Sequence, residues 1–266
     1  MAKYFNRDNY MTWLAINLIL NNKDTVQQNF YLYNPLYSKT FYFLPWDYDG
    51  AWSSTKYIGK NLYGISAWWK VDLHRKFLSV KKNRDDLYAL ADELREKYIT
   101  DAFIQAKLLE YENSVRPFQS QVPDNRNNSD SSWLVGTQNL LTRIPDNIAL
   151  YKSVIGHPMP FEVKAGYINS ELKITWDESV DLEGDALVYD LNISSDGNFS
   201  NATTNLINIR DMQTREYTQT INLSPGKYFV QVISKEVNNP NNYQISYGNV
   251  LLNGEYIFGV VTFEVP

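Results

Sequence analysis

The 266-residue chain has no cysteine and only two histidines, His74 and His157. The lack of cysteine excludes disulfide frameworks, thiolate metal sites and cysteine nucleophiles. Two isolated histidines leave no HExxH zinc motif and little basis for a Ser/His/Asp triad. The composition therefore excludes thiol chemistry and makes histidine-based zinc chemistry a poor expectation.

Long hydrophobic runs are also missing. The most apolar stretch, residues 13–20, is interrupted by Asn17 and falls short of the ~20 apolar residues that cross a bilayer. Residues 1–6 show no charged region followed by an apolar core, so we expect neither a membrane span nor an export signal in this sequence. Neither half carries a dense basic stripe, which argues against nucleic acid as a partner.

Charge is distributed unevenly along the chain. Residues 1–158 carry 19 Lys and Arg against 16 Asp and Glu, and residues 159–266 carry 6 against 14, which together give the net charge of −5. The sequence Gly-His-Pro-Met-Pro at residues 156–160 stops helix formation at the same place. These two observations predict two domains, residues 1–157 and residues 158–266.

Hydrophobic periodicity differs between the two predicted domains. In the first domain it predicts helices over residues 6–22, 85–99, 101–122 and 135–155. The first of these helices has a broad apolar face, and the last is expected to kink or restart at Pro145. Aromatic-rich runs at residues 30–33 and 40–44, bounded by Asn-Pro and Pro, predict one β-hairpin. In the second domain it predicts strands over residues 161–165, 171–176, 186–193, 205–209, 217–223, 227–233 and 256–265. The expected fold class is therefore multidomain α+β, with an all-β sandwich at the C-terminal end.

Polar side chains flank the predicted hairpin. Asp24 and Asn29 precede it and Asp47 follows it, in the sequence Pro-Trp-Asp-Tyr-Asp-Gly. Because the two strands of a hairpin run out and back, we expect these residues to lie close together. Carboxylate and amide oxygens suit Mg²⁺, and phosphoryl transfer also needs a carboxylate that orients the attacking hydroxyl.

The order Asp, four residues, Asn, hairpin, Asp is the arrangement of the catalytic and metal-binding loops of protein kinases. It predicts Asp24 as the base, Asn29 and Asp47 as ligands of the metal ion on ATP, and Asp49 as a further metal ligand. An EF-hand is excluded because glycine falls at the fourth loop position and Ile58 stands where a glutamate is required. Taken singly, each of these residues is as well explained as a cap or turn former.

Residues 10–24, 29–33 and 43–50 resemble the spore coat protein H (CotH) kinase family, atypical protein kinases that are secreted or lie on spores. The resemblance implies that Asp24 is catalytic, that Asp47 binds the Mg²⁺ or Mn²⁺ of ATP, and that residues 1–157 correspond to the C-terminal lobe. It also implies a further N-terminal portion with the nucleotide-binding sheet and a basic residue for the phosphates. Residues 1–9 cannot replace that portion, so we expect the chain alone to be inactive.

The second domain resembles fibronectin type III and immunoglobulin-like sandwiches. The resemblance rests on Leu-Lys-Ile-Thr-Trp-Asp at residues 172–177 and on Leu-Ser-Pro-Gly-Lys-Tyr at residues 223–228. It implies that Trp176 lies in the core and that Tyr228 forms the tyrosine corner.

These observations favour ATP-dependent phosphorylation of protein Ser/Thr by the parent protein, outside the cell, at the cell surface or on a spore coat. The alternative is a non-catalytic surface or coat scaffold that binds a cell-wall, coat or carbohydrate partner. In that alternative a sugar-binding groove is lined by aromatic residues, namely Trp52, Tyr57, Tyr63, Trp68 and Trp69. The other interpretation of this segment is that its aromatics cover the core, as aromatics between helices more often do.

Overall fold

The computed structural model describes residues 3–52, 64–119, 121–122, 130–199 and 204–266, with the side chains of residues 130–135 outside the description. The chain divides into two compact units. The first comprises residues 1–55 and 76–152, and the second comprises residues 56–75 and 153–266. Within the described ranges, no helix is both long and apolar enough to cross a membrane.

The described residues contain five α-helices. They are α1 (Arg7–Ile19), α2 (Asp72–Leu78), α3 (Lys81–Lys97), α4 (Asp101–Gln119) and α5 (Asp130–Ser153). Four of them match predicted helices, and α2 was not predicted. α5 is a single helix that continues through Pro145, where a kink or a new start was expected.

Helix α1 is the centre of the first unit. It begins at Asn6, whose side chain accepts a hydrogen bond of 2.9 Å from the backbone N–H of Asn9. Eight of its thirteen residues are buried, including Tyr10, Leu14 and Ile19, which have no exposed surface. This matches the broad apolar face expected from the sequence.

The predicted hairpin is present as β1 (Phe30–Tyr33) and β2 (Tyr42–Pro45). The strands are antiparallel, with Phe30 opposite Pro45. The Asn9 amide holds the hairpin on α1, because it donates to the carbonyl of Phe43 at 3.1 Å and accepts from its N–H at 2.7 Å. The ring of Phe43 is buried against Trp13, with 4.6 Å between the ring centroids.

Helix α5 also contacts the ends of these elements. The Asn147 amide donates to the carbonyl of Ile19 at 2.9 Å, and the Arg143 guanidinium donates to the carbonyl of Trp52 at 2.6 Å. Both acceptors are backbone groups at a chain reversal, where an unpaired carbonyl would be costly. Helix α5 therefore fixes the C-terminal end of α1 and the segment that follows β2.

The second unit contains ten strands in its described residues. They are β3 (Val163–Ile168), β4 (Glu171–Trp176), β5 (Leu187–Ser194), β6 (Asn205–Met212), β7 (Glu216–Thr220), β8 (Gly226–Glu236), β9 (Tyr243–Ile245), β10 (Asn249–Leu252), β11 (Glu255–Phe258) and β12 (Val260–Val265). One sheet has the order β12-β8-β5-β6 with β9 beside β8, a second has the order β3-β4-β7, and β10 pairs with β11. All these pairings are antiparallel.

The two larger sheets share one core. Ile174 of the three-stranded sheet and Leu191 and Val232 of the five-stranded sheet have no exposed surface and belong to the same apolar cluster. Trp176 lies in this cluster, and the Tyr228 hydroxyl donates to the carbonyl of Ser224 at 2.9 Å. The predicted α+β fold class is therefore confirmed, and the expected corner hydrogen bond is present.

One predicted strand, residues 256–265, is wrong as a single element. It is divided at Gly259, whose φ of 77° lies in the left-handed region, so that β11 ends before it and β12 begins after it. A side chain at Gly259 would also meet Ile245 of β9, with 2.8 Å between the Cβ positions. The short strands β9 and β10 were not predicted, because three or four residues show little periodicity.

Candidate functional site

Asp24 lies in the turn that follows α1. The carboxylate is exposed, and both of its oxygens accept hydrogen bonds from side-chain amides. Gln28 donates to Oδ1 at 2.8 Å and Asn29 donates to Oδ2 at 2.5 Å. The two amides orient the carboxylate, which is the arrangement that a positioned proton acceptor requires.

Asn29 and Asp47 lie at the same end of the hairpin. Asn29 directly precedes Phe30, and Asp47 follows closely after Pro45, the residue opposite Phe30. Both residues have left-handed backbone, with φ of 56° and 53°, which Asn and Asp tolerate better than most residues. The hairpin therefore returns the chain to where it started, as the spacing predicts.

The turn after Asp47 lies directly on the Asp24 loop. A Cβ atom at Gly50 would be 2.8 Å from the Cβ of Asp24, a distance that real Cβ atoms essentially never show. The backbone N–H of Ala51 donates to the carbonyl of Tyr48 at 3.0 Å, and that of Trp52 donates to the carbonyl of Leu20 at 2.7 Å. Glycine at position 50 is thus what lets the two loops meet.

Tyr48 fixes the turn after Asp47 to helix α1. Its half-buried side chain is hydrogen-bonded with Asn17, a buried residue of α1, and burial raises the pKa of the phenol. Asn17 also accepts a hydrogen bond of 2.9 Å from the hydroxyl of Thr25, the residue after Asp24. One buried amide therefore holds both the Asp24 loop and the Asp47 turn.

The structure thus joins Asp24 to Asn29 and places Gly50 against Asp24. Asp47 and Asp49 are exposed on the neighbouring turn. Among the described residues, the carboxylates of Asp24, Asp47 and Asp49 do not gather within 4.8 Å of one another. The roles of Asn29, Asp47 and Asp49 as metal ligands stay predictions, although exposed carboxylate and amide oxygens are the donors that Mg²⁺ and Mn²⁺ prefer.

Two residues beside Asp24 were not singled out from the sequence. Asn22 has no exposed surface, neither polar atom of its side chain has a hydrogen-bond partner, and its Oδ1 lies 3.3 Å from the Cβ position of Gly50. The Nζ of Lys23 is also buried without a partner, and burial lowers the pKa of its ammonium group to about 8. The sequence signal was a polar run directly after an apolar helix.

A second acidic group lies in the second unit. Carboxylate oxygens of Asp181, Asp185 and Glu236 approach within 4.8 Å of one another, and burial, then repulsion by the two aspartates, raises the pKa of Glu236. Asn242 donates to Glu236, and the backbone N–H of Gly184 donates to Asp181 at 2.8 Å. These hydrogen bonds partner Glu236 and the Oδ1 of Asp181, whereas the Oδ2 of Asp181 is buried without a partner.

The aromatic segment expected to line a sugar-binding groove is only partly described. Trp68 and Trp69 are buried, with 1% and 4% of their surface exposed, which agrees with the alternative that aromatics in this segment cover a core. Tyr57 and Tyr63 lie outside the described residues. Trp52 is half-buried at the end of the Asp47 turn.

In the described residues of the first unit, one β-hairpin places Asn29 and Asp47 at its open end, next to the loop that carries Asp24. A family model described as CotH kinase protein matches residues 1–149. The chain belongs to the CotH family, which confirms the resemblance found in its motifs. The match ends inside α5 and leaves the all-β part outside it.

The chain is also similar to a curated protein, the inner spore coat protein H of Bacillus subtilis (strain 168). The two are 23% identical over 134 residues, which cover 48% of this chain and 35% of that protein. The chain therefore spans about a third of the length of this relative.

Two solved structures show weak likeness. An Fn3-like protein from Clostridium thermocellum is 15% identical, with 40% of this chain and 92% of that chain covered and a TM-score of 0.24. Pectate lyase Pel3 from Pectobacterium carotovorum is also 15% identical, with 29% and 23% covered and a TM-score of 0.22. Neither superposition supports a conclusion about the fold.

Proposed function

We propose that the first unit is the C-terminal lobe of a CotH-type protein kinase that transfers phosphate from ATP to protein serine or threonine. The family match supports a kinase-related function. The observation that carries the finer proposal is the meeting of two loops: Asp24 is held by Asn29, and Gly50 lies against Asp24. The Asp24 loop and the turn that follows Asp47 thus meet, although they come from separate parts of the chain.

In this proposal Asp24 accepts the proton of the acceptor hydroxyl. The hydroxyl oxygen forms a bond to the γ-phosphorus while the bond from this phosphorus to the β–γ bridging oxygen breaks, and ADP leaves with the electron pair. The amides of Gln28 and Asn29 keep the carboxylate oriented throughout, so its reorganisation costs little.

Asn29, Asp47 and Asp49 would hold Mg²⁺ or Mn²⁺. Such an ion, when bound, offsets the negative charge of the phosphates. Asn29 donates a hydrogen bond to Asp24 through its Nδ2, and the carbonyl oxygen of the same amide takes no part in that bond. Exposure of Asp47 and Asp49 allows both carboxylates to turn toward an ion shared with ATP.

The place of action proposed for the protein is a spore coat or cell surface. The curated relative is a spore coat protein by name, and this is what supports the proposal. The all-β part is proposed to be a fibronectin type III-like module that accompanies the kinase part. Its support is the two-sheet core around Trp176 and the Tyr228 corner bond.

Metal binding by the 266-residue chain tests the assignment of ligands. Trp46 is 55% exposed and precedes Asp47, so Mn²⁺ is expected to quench tryptophan fluorescence. Asp47→Asn is expected to abolish the quenching, while Asp24→Asn retains it, because Asp24 acts on the proton and not on the ion. Asp85→Asn, an exposed aspartate of α3, is the matched control. Unchanged quenching in Asp47→Asn contradicts the assignment.

The role of Asp24 is tested by phosphotransfer. In a preparation that transfers radiolabelled phosphate from ATP to a serine-rich peptide, Asp24→Asn is expected to lower the rate about 10²–10⁴-fold, the usual contribution of a positioned proton acceptor. Mn²⁺ quenching in the same preparation is expected to stay. A variant that keeps the full rate would show that Asp24 is not the base.

A further inference from the structure

A cavity of about 290 Å³ lies within the second unit, away from the Asp24 loop in sequence. Its walls come from α2 and the segment before it, the approach to β3, the segment after β4 and the loop between β9 and β10. The residues that line it include Trp69, Lys70, Arg75, Phe161, Glu162, Asp177 and Tyr247. The volume is at the lower limit for small-molecule sites and suits a ligand of one ring.

Backbone hydrogen bonds fix the walls of the cavity. The N–H of Asp177 donates to the carbonyl of Glu162 at 3.0 Å, which extends the β3–β4 ladder beyond its last pair. The N–H of Tyr247 donates to the carbonyl of Phe161 at 3.0 Å. Because the walls are held by the main chain, the cavity is formed before a ligand arrives, and binding orders little of the protein.

The rim of the cavity carries accessible charges of both signs. The Nζ of Lys70 pairs with Glu162 at 3.0 Å, and both side chains are almost half exposed. Arg75 pairs with Asp72, which lies outside the lining, and Asp177 is exposed. Both cations are therefore already paired, so the rim offers no strong attraction to an anion such as a phosphate.

The carboxylates of the rim are spread apart. Glu162, Asp177 and Glu178 line the cavity, yet within the described residues they do not form a group of three that could close on one metal ion. Separated acceptors suit a ligand that presents several hydroxyl donors around a ring. The half-buried ring of Tyr247 supplies an aromatic floor for the C–H face of such a ring, and Trp69 and Phe161, which are 4% and 2% exposed, lie behind it.

Tyr247 adds an unmet hydrogen-bonding group. Its hydroxyl is buried without a partner, and burial raises the pKa of the phenol, so it stays protonated at neutral pH. The Lys70 ammonium lies over the ring, 5.4 Å from its centroid. Displacement of this half-exposed lysine would open the ring and hydroxyl of Tyr247 to a ligand.

We propose that this cavity binds one uncharged sugar ring of a glycan, with the ring face on the aromatic floor and its hydroxyls on the carboxylates of the rim. The site would give the second unit a carbohydrate-binding function that is independent of the proposed kinase site. An anionic sugar is disfavoured because three carboxylates face two paired cations.

Saturation-transfer NMR on the purified 266-residue chain tests the proposal, with glucose, N-acetylglucosamine, galacturonate and the open-chain polyol sorbitol as probes. We expect transfer to glucose or N-acetylglucosamine at millimolar concentrations and none to sorbitol, which has hydroxyls but no ring face. No transfer to either neutral sugar, or transfer to galacturonate alone, would overturn the proposal.

Variants locate the binding. Asp177→Asn and Tyr247→Phe are each expected to weaken sugar binding about fivefold, as loss of one hydrogen bond does. Tyr256→Phe, an exposed tyrosine of β11 outside the cavity lining, is the control and is expected to bind as the unaltered chain does. Thermal unfolding confirms that each variant is folded. Equal affinity in all three variants would place the sugar elsewhere and refute the assignment of this cavity.

Discussion

Replacement of Gly50 by alanine tests the contact between the two loops of the candidate kinase site. The added methyl carbon would be 2.8 Å from the Cβ of Asp24 and 3.3 Å from the Oδ1 of Asn22. The Cβ of Asp24 cannot rotate away, since it is fixed by the backbone, so one of the loops must move. Overpacking of this kind costs about 1–3 kcal/mol.

A smaller effect of opposite sign acts on the unfolded chain. Alanine has fewer unfolded conformations than glycine, which stabilises the folded state by about 0.4–1 kcal/mol where the native backbone is compatible. We therefore expect Gly50→Ala to lower the free energy of unfolding by about 1–2 kcal/mol. Mn²⁺ quenching of Trp46 is expected to weaken as well, because displacement of the Asp47 turn separates Asp47 from Asn29, the other proposed ligand, which is held on Asp24.

Gly136→Ala is the matched control. Gly136 lies inside α5 of the same unit, and no atom lies within 4 Å of its Cβ position. The same chemical change is therefore expected to stabilise the protein, by about 0.5–1 kcal/mol. Urea denaturation followed by far-ultraviolet circular dichroism measures both. If Gly50→Ala is as stable as Gly136→Ala and binds Mn²⁺ normally, the two loops are not in the contact described.

Lys23→Met is expected to raise stability at pH 7 by up to about 3 kcal/mol, since burial lowers the lysine pKa from 10.5 to about 8 and each tenfold change is worth about 1.4 kcal/mol. The gain in stability of the variant should shrink as the pH rises from 8 to 10.5, because in that range the unfolded unaltered chain binds more protons than the folded one. Urea titrations that show no difference in stability between the variant and the unaltered chain at pH 7 would contradict the prediction. Asp190→Asn is expected to cost about 3 kcal/mol, because it leaves Lys235, paired at 2.8 Å, without its main partner. Burial raises the pKa of Asp190, but hydrogen bonds from Lys235 and the Asp211 N–H outweigh burial and lower the pKa. The stability that ionised Asp190 contributes is therefore present at neutral pH and is lost on acidification through the folded-state pKa. If the variant loses stability with acid just as the unaltered chain does, this reasoning is refuted. Tyr228→Phe is expected to lower the free energy of unfolding by about 1 kcal/mol, because it removes the hydrogen bond to Ser224. Tyr256→Phe, at an exposed tyrosine, is the control and is expected to leave stability unchanged. Equal melting temperatures of the two variants would show that the corner hydrogen bond does not stabilise the fold.

Helices and strands that end at turn-forming residues were predictable from the sequence. Asn34-Pro35 follows β1 and Pro45 ends β2, and β1 begins and ends where the aromatic run does. Helix α2 was missed because seven residues after a Gly- and Trp-containing segment show less than two full turns of periodicity. The break at Gly259 was missed because a left-handed glycine inside an apolar run looks the same in sequence as a continuous strand.

Some features of the candidate site could likewise be predicted from the sequence, and others could not. The approach of Asn29 to Asp24 follows from local spacing, and the return of Asp47 follows from strand geometry, so both could be predicted. The burial of Asn22 and Lys23 could not, since it depends on which distant segment covers them. Gly50 lies against Asn22 only because β1 and β2 have the register observed, and a polar run gives no sign of that cover.

The two hydrogen bonds from α5 to main-chain carbonyls constrain their donors more than their acceptors, and this limits how the family can diverge. Asn147 and Arg143 donate through side chains, whereas Ile19 and Trp52 accept through main-chain carbonyls. Any residue supplies the carbonyl, so these two bonds place no constraint on the side chains at positions 19 and 52. The donors have no such freedom, and a recombination event that exchanges α5 must bring both donors with it or leave two carbonyls beside the Asp24 loop unpaired.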